Sequence, residues 1–372
     1  MLSKGKEKPP TASASLFGAS ERPPLLLLID GFSMIFQAFY ATRNTPMTIA
    51  ATGEPTNAVR VFMSMFLAVL KDLQPTHCAV AFDMPGPTFR NQLFNEYKAN
   101  RRETPEDLLP QFSRVRQLME ALAVPTYGVE GYEADDVLGT LSRRAEEQGL
   151  PTVILTRDRD LLQVVSPLVR VALSGTGKQE RKQYDEMAIA EQYGGLRPHQ
   201  LADVKALQGD SSDNYKGVDG IGEGSAPKLI QQFGSIAELK QRLDEVEPPR
   251  IRELLRVGKD NMDLSLRLAT IVRDLPIALD VDSCRFGQYD REGQVVPLLR
   301  ELGFNNLIDR IPMGNPIRTP SEKMSGKEIS HTDKELIYKI VMDERDLVSL
   351  AGSLDTNKGF AFDTETTNLD AM

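Results

Sequence analysis

Residues Leu25–Gly31 read LLLLIDG: five large aliphatic residues in a row, then an aspartate and a glycine, entered from Pro23-Pro24. An apolar run of that length is strand-sized and has no polar face. It predicts a strand covered on both sides, as in a parallel sheet. Three further runs have the same character: His77–Phe82 (HCAVAF), Thr152–Thr156 (TVILT) and Leu168–Leu173. Helical patterns fall between them. Ser33–Tyr40 is one. Thr56–Leu73 is another, with Thr56 as N-cap and an apolar face through Val59, Phe62, Met63, Phe66 and Leu70. Thr104–Ala123 follows, with Thr104 as N-cap and Pro105 in the first turn, and then Glu133–Gln148, stopped by Gly149. Strands alternating with helices predict an α/β fold: a mostly parallel sheet with helices on both faces, and a site beyond the carboxyl ends of its strands.

From about Tyr184 helical patterns separated by Gly-rich turns replace the alternation, and predict an all-helical subdomain. The organisation expected is a tail at 1–24, an α/β domain at 25–195, a helical subdomain at 196–310, a Pro/Ser-rich linker at 311–332 and a restarted α/β pattern at 333–372. The tail (MLSKGKEKPPTASASLFGASERPP) lacks the apolar core of a secretory signal. A polar tail and a short organellar transit peptide both fit its composition. No apolar run approaches the roughly 20 residues a membrane helix needs, so no membrane partner is expected. Two cysteines far apart exclude a disulfide scaffold and suit a reducing, cytoplasmic compartment. Three unpaired histidines give little support to a histidine metal site.

The net charge is −9, from 44 Lys+Arg against 53 Asp+Glu, which alone speaks against a nucleic-acid binder. The acids are not spread evenly, however. Asp30 and Asp83 follow the first two strands, and Asp158 and Asp160 follow TVILT. Glu133, Asp135 and Asp136 cluster in GYEADD at a helix start, and Asp210 and Asp213 in LQGDSSDN. Singly, an Asp at a helix start reads as a cap and one in a Gly/Ser turn as an Asx turn. Three strand ends together with EADD ask for more. Two carboxylates 4 Å apart repel by about 4 kcal/mol at an effective dielectric of 20. Converging acids therefore need protons or cations, and all-oxygen ligation selects Mg²⁺ or Mn²⁺. Two such ions suit phosphodiester hydrolysis. With these nine carboxylates set aside the chain is neutral, so its acidity does not oppose nucleic-acid binding.

In this order and spacing the five motifs resemble the 5′-nuclease (flap endonuclease) family, in the form of the 5′→3′ exonuclease domain that precedes a polymerase in bacteria. The resemblance covers about residues 25–310. It implies a PIN-like 5′-nuclease core and structure-specific, metal-dependent cleavage of DNA at 5′ flaps, nicks, gaps and RNA primers, by a monomer. It implies two ions near Asp30, Asp83, Asp135, Asp158, Asp160 and Asp213, with Glu133, Asp136 and Asp210 acting through water. The stretch FRNQLFNEYKANR (Phe89–Arg101) carries Arg90, Tyr97, Lys98 and Arg101. It reads either as a solvated basic face or as a positive lid over the acids. The resemblance makes Lys98 and Arg101 catalytic and leaves Arg90 and Tyr97 as DNA contacts. Phe36, six residues after Asp30, reads as core, or by resemblance as an aromatic that stacks on a base.

GVDGIGEGSAPKL (Gly217–Leu229) is a Gly-rich turn entering a helix, flanked by Lys216 and Lys228. Backbone N–H groups there can hold a phosphate. A dinucleotide site needs a strand before the turn, and this turn follows a helix. The resemblance is to a helix–hairpin–helix element gripping duplex DNA through Gly220 and Gly222, with K⁺ as a candidate ion on its carbonyls. Near the end, GFAFDTE carries Asp363 and Glu365, which resemble the first motif of a 3′→5′ proofreading exonuclease whose remainder is missing. A nuclease of similar fold acting on RNA, and a non-catalytic DNA-binding module with a structural ion, are the alternatives.

Overall fold

The computed structural model describes residues 23–45, 47–175 and 181–314. The expected tail up to residue 22, most of the linker and the segment bearing Asp363 and Glu365 lie outside these residues.

The run LLLID forms β1 (Leu26–Asp30), buried throughout. Its alternate side chains part to opposite faces, as strand geometry requires. Leu27 and Ile29 join the core under one layer of helices, and Leu26 and Leu28 join the other. The other strands are β2 (His77–Ala81), β3 (Thr126–Tyr127), β4 (Thr152–Thr156), β5 (Val169–Leu173) and β6 (Lys182–Tyr184). The sheet order is β3-β2-β1-β4-β5-β6, parallel except for β6, which runs antiparallel to β5. The chain builds outward from β1 on one side, then returns to build from β4 on the other. The switch point therefore lies between the carboxyl ends of β1 and β4, where ligands bind in such sheets. The two- and three-residue strands β3 and β6 are too short to leave a periodic signal.

One layer holds α1 (Gly31–Thr42), α2 (Asn57–Leu73) and α4 (Leu109–Ala121) over Leu27 and Ile29, while α3 (Phe89–Leu93) packs Leu93 with Tyr97, Tyr215 and Leu268. α5 (Ala134–Glu147) covers Leu26 and Leu28 through Val137, Leu138 and Leu141, and α6 (Glu186–Gln192) adds Ile189 beside it. Two expected helix starts are different in detail. α2 begins after Thr56, but the Thr56 hydroxyl makes no cap bond. Instead the buried Gln111 side chain accepts from the N–H groups of Ala58 and Val59 (2.8 and 3.3 Å). α4 begins at Leu109, not after Thr104. Pro110 decides this: inside a helix it would remove a donor and clash with the carbonyl four residues back, so it sits in the first turn.

Beyond α6, helices α7 (Gln200–Gln208), α8 (Ala226–Phe233), α9 (Ile236–Gln241), α10 (Pro249–Val257) and α11 (Lys259–Ala269) surround a core of their own, including Leu207, Ile230, Phe233, Leu255 and Met262. The region expected as one helical unit to residue 310 then leaves that core. Ile271, Leu275 and Cys284 pack with α5. Leu299 of α12 (Val296–Glu301), Phe304 and Leu307 of α13 (Asn305–Ile308) pack with α1, α2 and α4. Helical periodicity shows that a face is apolar, not which core it joins.

Candidate active site

Asp30 ends β1 and caps α1. One of its carboxylate oxygens accepts the Ser33 N–H (2.9 Å) and the other the Thr156 hydroxyl at the end of β4 (2.7 Å). It is 4% exposed, and burial, helped by Asp83 and Asp158, pushes its pKa up to about 7. Asp83, two residues past β2, accepts the Ala134 N–H at the start of α5 (2.8 Å) and is raised by burial. Asp135, in the first turn of α5, is held well above the usual carboxylate range by desolvation and by Asp158 and Asp30. The Asp158 carboxylate accepts the Asp160 N–H (2.8 Å), while its own N–H goes to Thr156 (2.9 Å). These four acids line a cleft of about 650 Å³ at the switch point, together with Glu133, Lys98 and Arg101. Among the described residues none of the four has a cation within ion-pair distance.

The other acids are paired. Lys98 lies 2.5 Å from Glu133 and 3.9 Å from Asp213, and Arg101 lies 2.6 Å from Asp213. Lys98 takes φ +57°, and its N–H donates to the Asp213 carbonyl (3.0 Å), which fixes the basic stretch over the acids. Lys205 on α7 bridges Asp160 and Asp210, at 2.5 Å from the latter. Burial opposes ionisation of Asp210, but Lys205 and Ser212 together hold its pKa low. At Asp160 burial and Asp158 prevail over Lys205, and the pKa rises to about 7. Asp160, Asp210 and Asp213 can each turn a carboxylate oxygen to within 4.8 Å of the others, the spacing of a shared cation. The donor set is all oxygen, crowded and partly desolvated, and so fits hard divalent ions.

Three expected site residues are placed elsewhere. Asp136 is fully buried and forms a two-point pair with Arg90 (2.6 and 2.8 Å), while also accepting the N–H of Val272 (2.9 Å). It faces away from the cleft, and its charge is spent on Arg90. Arg90 is 2% exposed, donates to the carbonyls of Leu268 and Thr270 (2.9 and 3.0 Å) and lies 3.3 Å from Glu133, so it is turned inward and not toward DNA. It ties the basic stretch and α5 to the end of α11. Tyr97, 4% exposed, places its hydroxyl 2.9 Å from Asp213 and 3.2 Å from Glu133, where it braces acids instead of meeting a base.

Phe36 does line the cleft, half-buried against Phe32 (5.1 Å), Phe112 (5.9 Å) and the half-exposed Tyr40 (6.2 Å). The aromatic strip at 32, 36 and 40 follows helical i, i+4 spacing, a signal present in the sequence. Gln37, Arg102, Thr104 and Arg157 also reach the cleft. Around the Gly-rich turn a second opening, of about 780 Å³, is lined by Lys216, Gly220 and Gly222. Gly220 takes φ +84°, and a Cβ there would meet Leu254 at 2.9 Å. Gly222 faces open space, although its N–H is already given to the Ser225 hydroxyl (3.2 Å). Lys216 and Lys228 are exposed. No helix among the described residues is long and apolar enough to cross a membrane.

A parallel sheet with carboxylates massed at its switch point, joined to a helical module, makes an α/β fold with an acidic, oxygen-lined cleft. The chain belongs to the 5′-3′ exonuclease family: residues 25–194 match its N-terminal resolvase-like domain and residues 196–292 its C-terminal SAM fold. It is similar to DNA polymerase I of Chloroflexus aurantiacus, 42% identical over 374 aligned residues, covering 94% of this chain and 39% of that one. DNA polymerase I of Bacillus caldotenax is 42% identical over 286 residues, covering 77% of this chain and 32% of that one. The chain thus spans 32–39% of the length of these curated relatives. Among solved structures, T5 5′-exonuclease with bound zinc aligns with TM-score 0.56 at 18% identity, covering 77% of this chain and 96% of that one. The catalytic core of Rad2 with a DNA substrate aligns with TM-score 0.50 at 16% identity, covering 76% and 88%. Both show the shared fold.

Proposed function

We propose that the chain is a structure-specific 5′→3′ exonuclease and 5′-flap endonuclease on DNA, working in the bacterial cytoplasm as a monomeric part of a DNA polymerase I. The carrying observation is the set of four cleft carboxylates without a cation partner, facing Lys98, Arg101 and an aromatic wall. Two Mg²⁺ or Mn²⁺ ions fit the oxygens available, one at Asp30, Asp83, Asp135 and Asp158, the other at Asp160 and Asp213. Glu133 and Asp210, already bonded to lysines, act through water. When bound, the ions supply an activated water and offset charge on the scissile phosphate.

The chain's own groups do the rest. Lys98 and Arg101 offset charge that builds mainly in the transition state. Phe36 offers a face on which a base next to the cleaved bond stacks, worth roughly 1–3 kcal/mol. The Gly220–Gly222 turn, with Lys216 and Lys228, grips duplex phosphates, and its carbonyls are the candidate K⁺ site. Flaps, nicked or gapped duplexes and RNA primers are the substrates. A 5′-labelled flap duplex incubated with the protein and Mg²⁺ should be cut near the junction, and excess EDTA should abolish the product. Undiminished cutting in EDTA overturns the metal-dependent reading.

A further inference from the structure

Tyr215 sits on the loop that carries Asp210 and Asp213. It pairs with Asp210 through two backbone hydrogen bonds, Asp210 N–H to Tyr215 carbonyl (2.9 Å) and the reverse (3.0 Å). Residues paired across such a bridge send their side chains to the same side. Tyr215 is 4% exposed, and its hydroxyl is buried without a hydrogen-bond partner. Leaving such a group unpaired costs the folded state stability. Asp160, Asp210 and Asp213 are the carboxylates whose oxygens converge within 4.8 Å.

Tyr97 makes the contrast. It lies in the same cluster, and its single hydroxyl proton is shared between Asp213 (2.9 Å) and Glu133 (3.2 Å). The orphan hydroxyl therefore has no protein partner to serve. A hard divalent ion takes about six oxygens, and the carboxylates here leave several positions to water. Waters on a cation are strong donors, and a phenol oxygen beside them is an acceptor. We propose that Tyr215 is a positioning residue for a divalent ion at Asp160 and Asp213, its hydroxyl, like the Asp210 carboxylate, meeting a water of the ion's shell and accepting a hydrogen bond from it. This rests on the metal-dependent reading above and adds a residue to it.

The test uses Mn²⁺ alone, without DNA, on wild type, Tyr215→Phe and Tyr97→Phe. Thermal midpoints are measured in EDTA and in saturating Mn²⁺, and Mn²⁺ affinity by calorimetry. In EDTA, Tyr215→Phe should be as stable as wild type or more stable, because it deletes an unpaired polar atom. It should bind its weaker Mn²⁺ about tenfold less tightly, the low end of what outer partners of a metal contribute, and gain less midpoint from it. Tyr97→Phe should lose stability already in EDTA. Wild-type Mn²⁺ affinity in Tyr215→Phe overturns the inference alone. So does a midpoint loss in EDTA, which means the hydroxyl holds the fold. A wild-type protein that takes up no Mn²⁺ overturns the metal-dependent reading itself.

Discussion

The acids around the cleft divide into two halves that the sequence does not distinguish. Glu133, Asp136, Asp160, Asp210 and Asp213 each have a lysine or arginine within ion-pair distance. Asp30, Asp83, Asp135 and Asp158 have hydroxyl and backbone donors, or one another. The paired half is neutralised from within. It joins the basic stretch, α5, α7 and the end of α11 into one frame. The unpaired half stores repulsion, and three of its members are held above the usual carboxylate range, burial being the first cause in each. The paired acids brace that frame through the protein's own cations, whereas the four cleft acids have none among the described residues.

The largest effect should come from breaking the scaffold half. Arg90→Ala leaves the buried Asp136 with backbone donors but no cation, and also releases the carbonyls of Leu268 and Thr270. A loss of about 3–5 kcal/mol is expected, read as a lower urea midpoint. A change under about 1 kcal/mol would mean that the pair does not hold these elements together. Next is Lys98→Ala, at the border of the halves. The saturated cleavage rate should fall about a hundredfold, roughly 2.7 kcal/mol, with little change in the substrate concentration needed. If only affinity falls, the lysine is a docking contact.

A smaller effect should appear in pH dependence. Asp30 and Asp160 have folded pKa values of about 7, above the usual 3.8. A raised carboxyl pKa gives stability that is present below the unfolded value and lost as pH rises through the folded one. The metal-free protein should therefore lose stability between about pH 4 and 7 through these groups. The midpoint gained from saturating Mg²⁺ should be larger at pH 8 than at pH 6, where the ion must displace protons. Equal gains at both pH values would mean these carboxyls are not where the ion acts.

Much of the fold was legible because β1, β2 and β4 are buried, mostly apolar runs and β5 is broken only by the exposed Arg170. The acids at their ends were legible for the same reason, since strand ends in a parallel sheet share one edge. The Asp136–Arg90 pair was not: its members are 46 residues apart, and EADD gives no sign that its last aspartate turns inward. The basic stretch looked uniform, yet burial separates Arg90 and Tyr97 from Arg101. Lys205 left only a spacing, five residues before Asp210, and Tyr215 looked like one more loop aromatic. The start of α4 was legible in Pro110, but the cap-like Thr104-Pro105 outweighed it.

The unpaired half is tested most directly by Asp30→Asn, with single-turnover cleavage and affinity measured on one flap substrate in Mg²⁺. The variant keeps the side-chain shape and removes one repelling charge from the cleft. The account predicts a rate lower by about three orders of magnitude, roughly 4 kcal/mol, with affinity for the flap unchanged or tighter. A rate and an affinity that fall together would contradict it, because Asp30 would then be holding the fold or the DNA and not the metal.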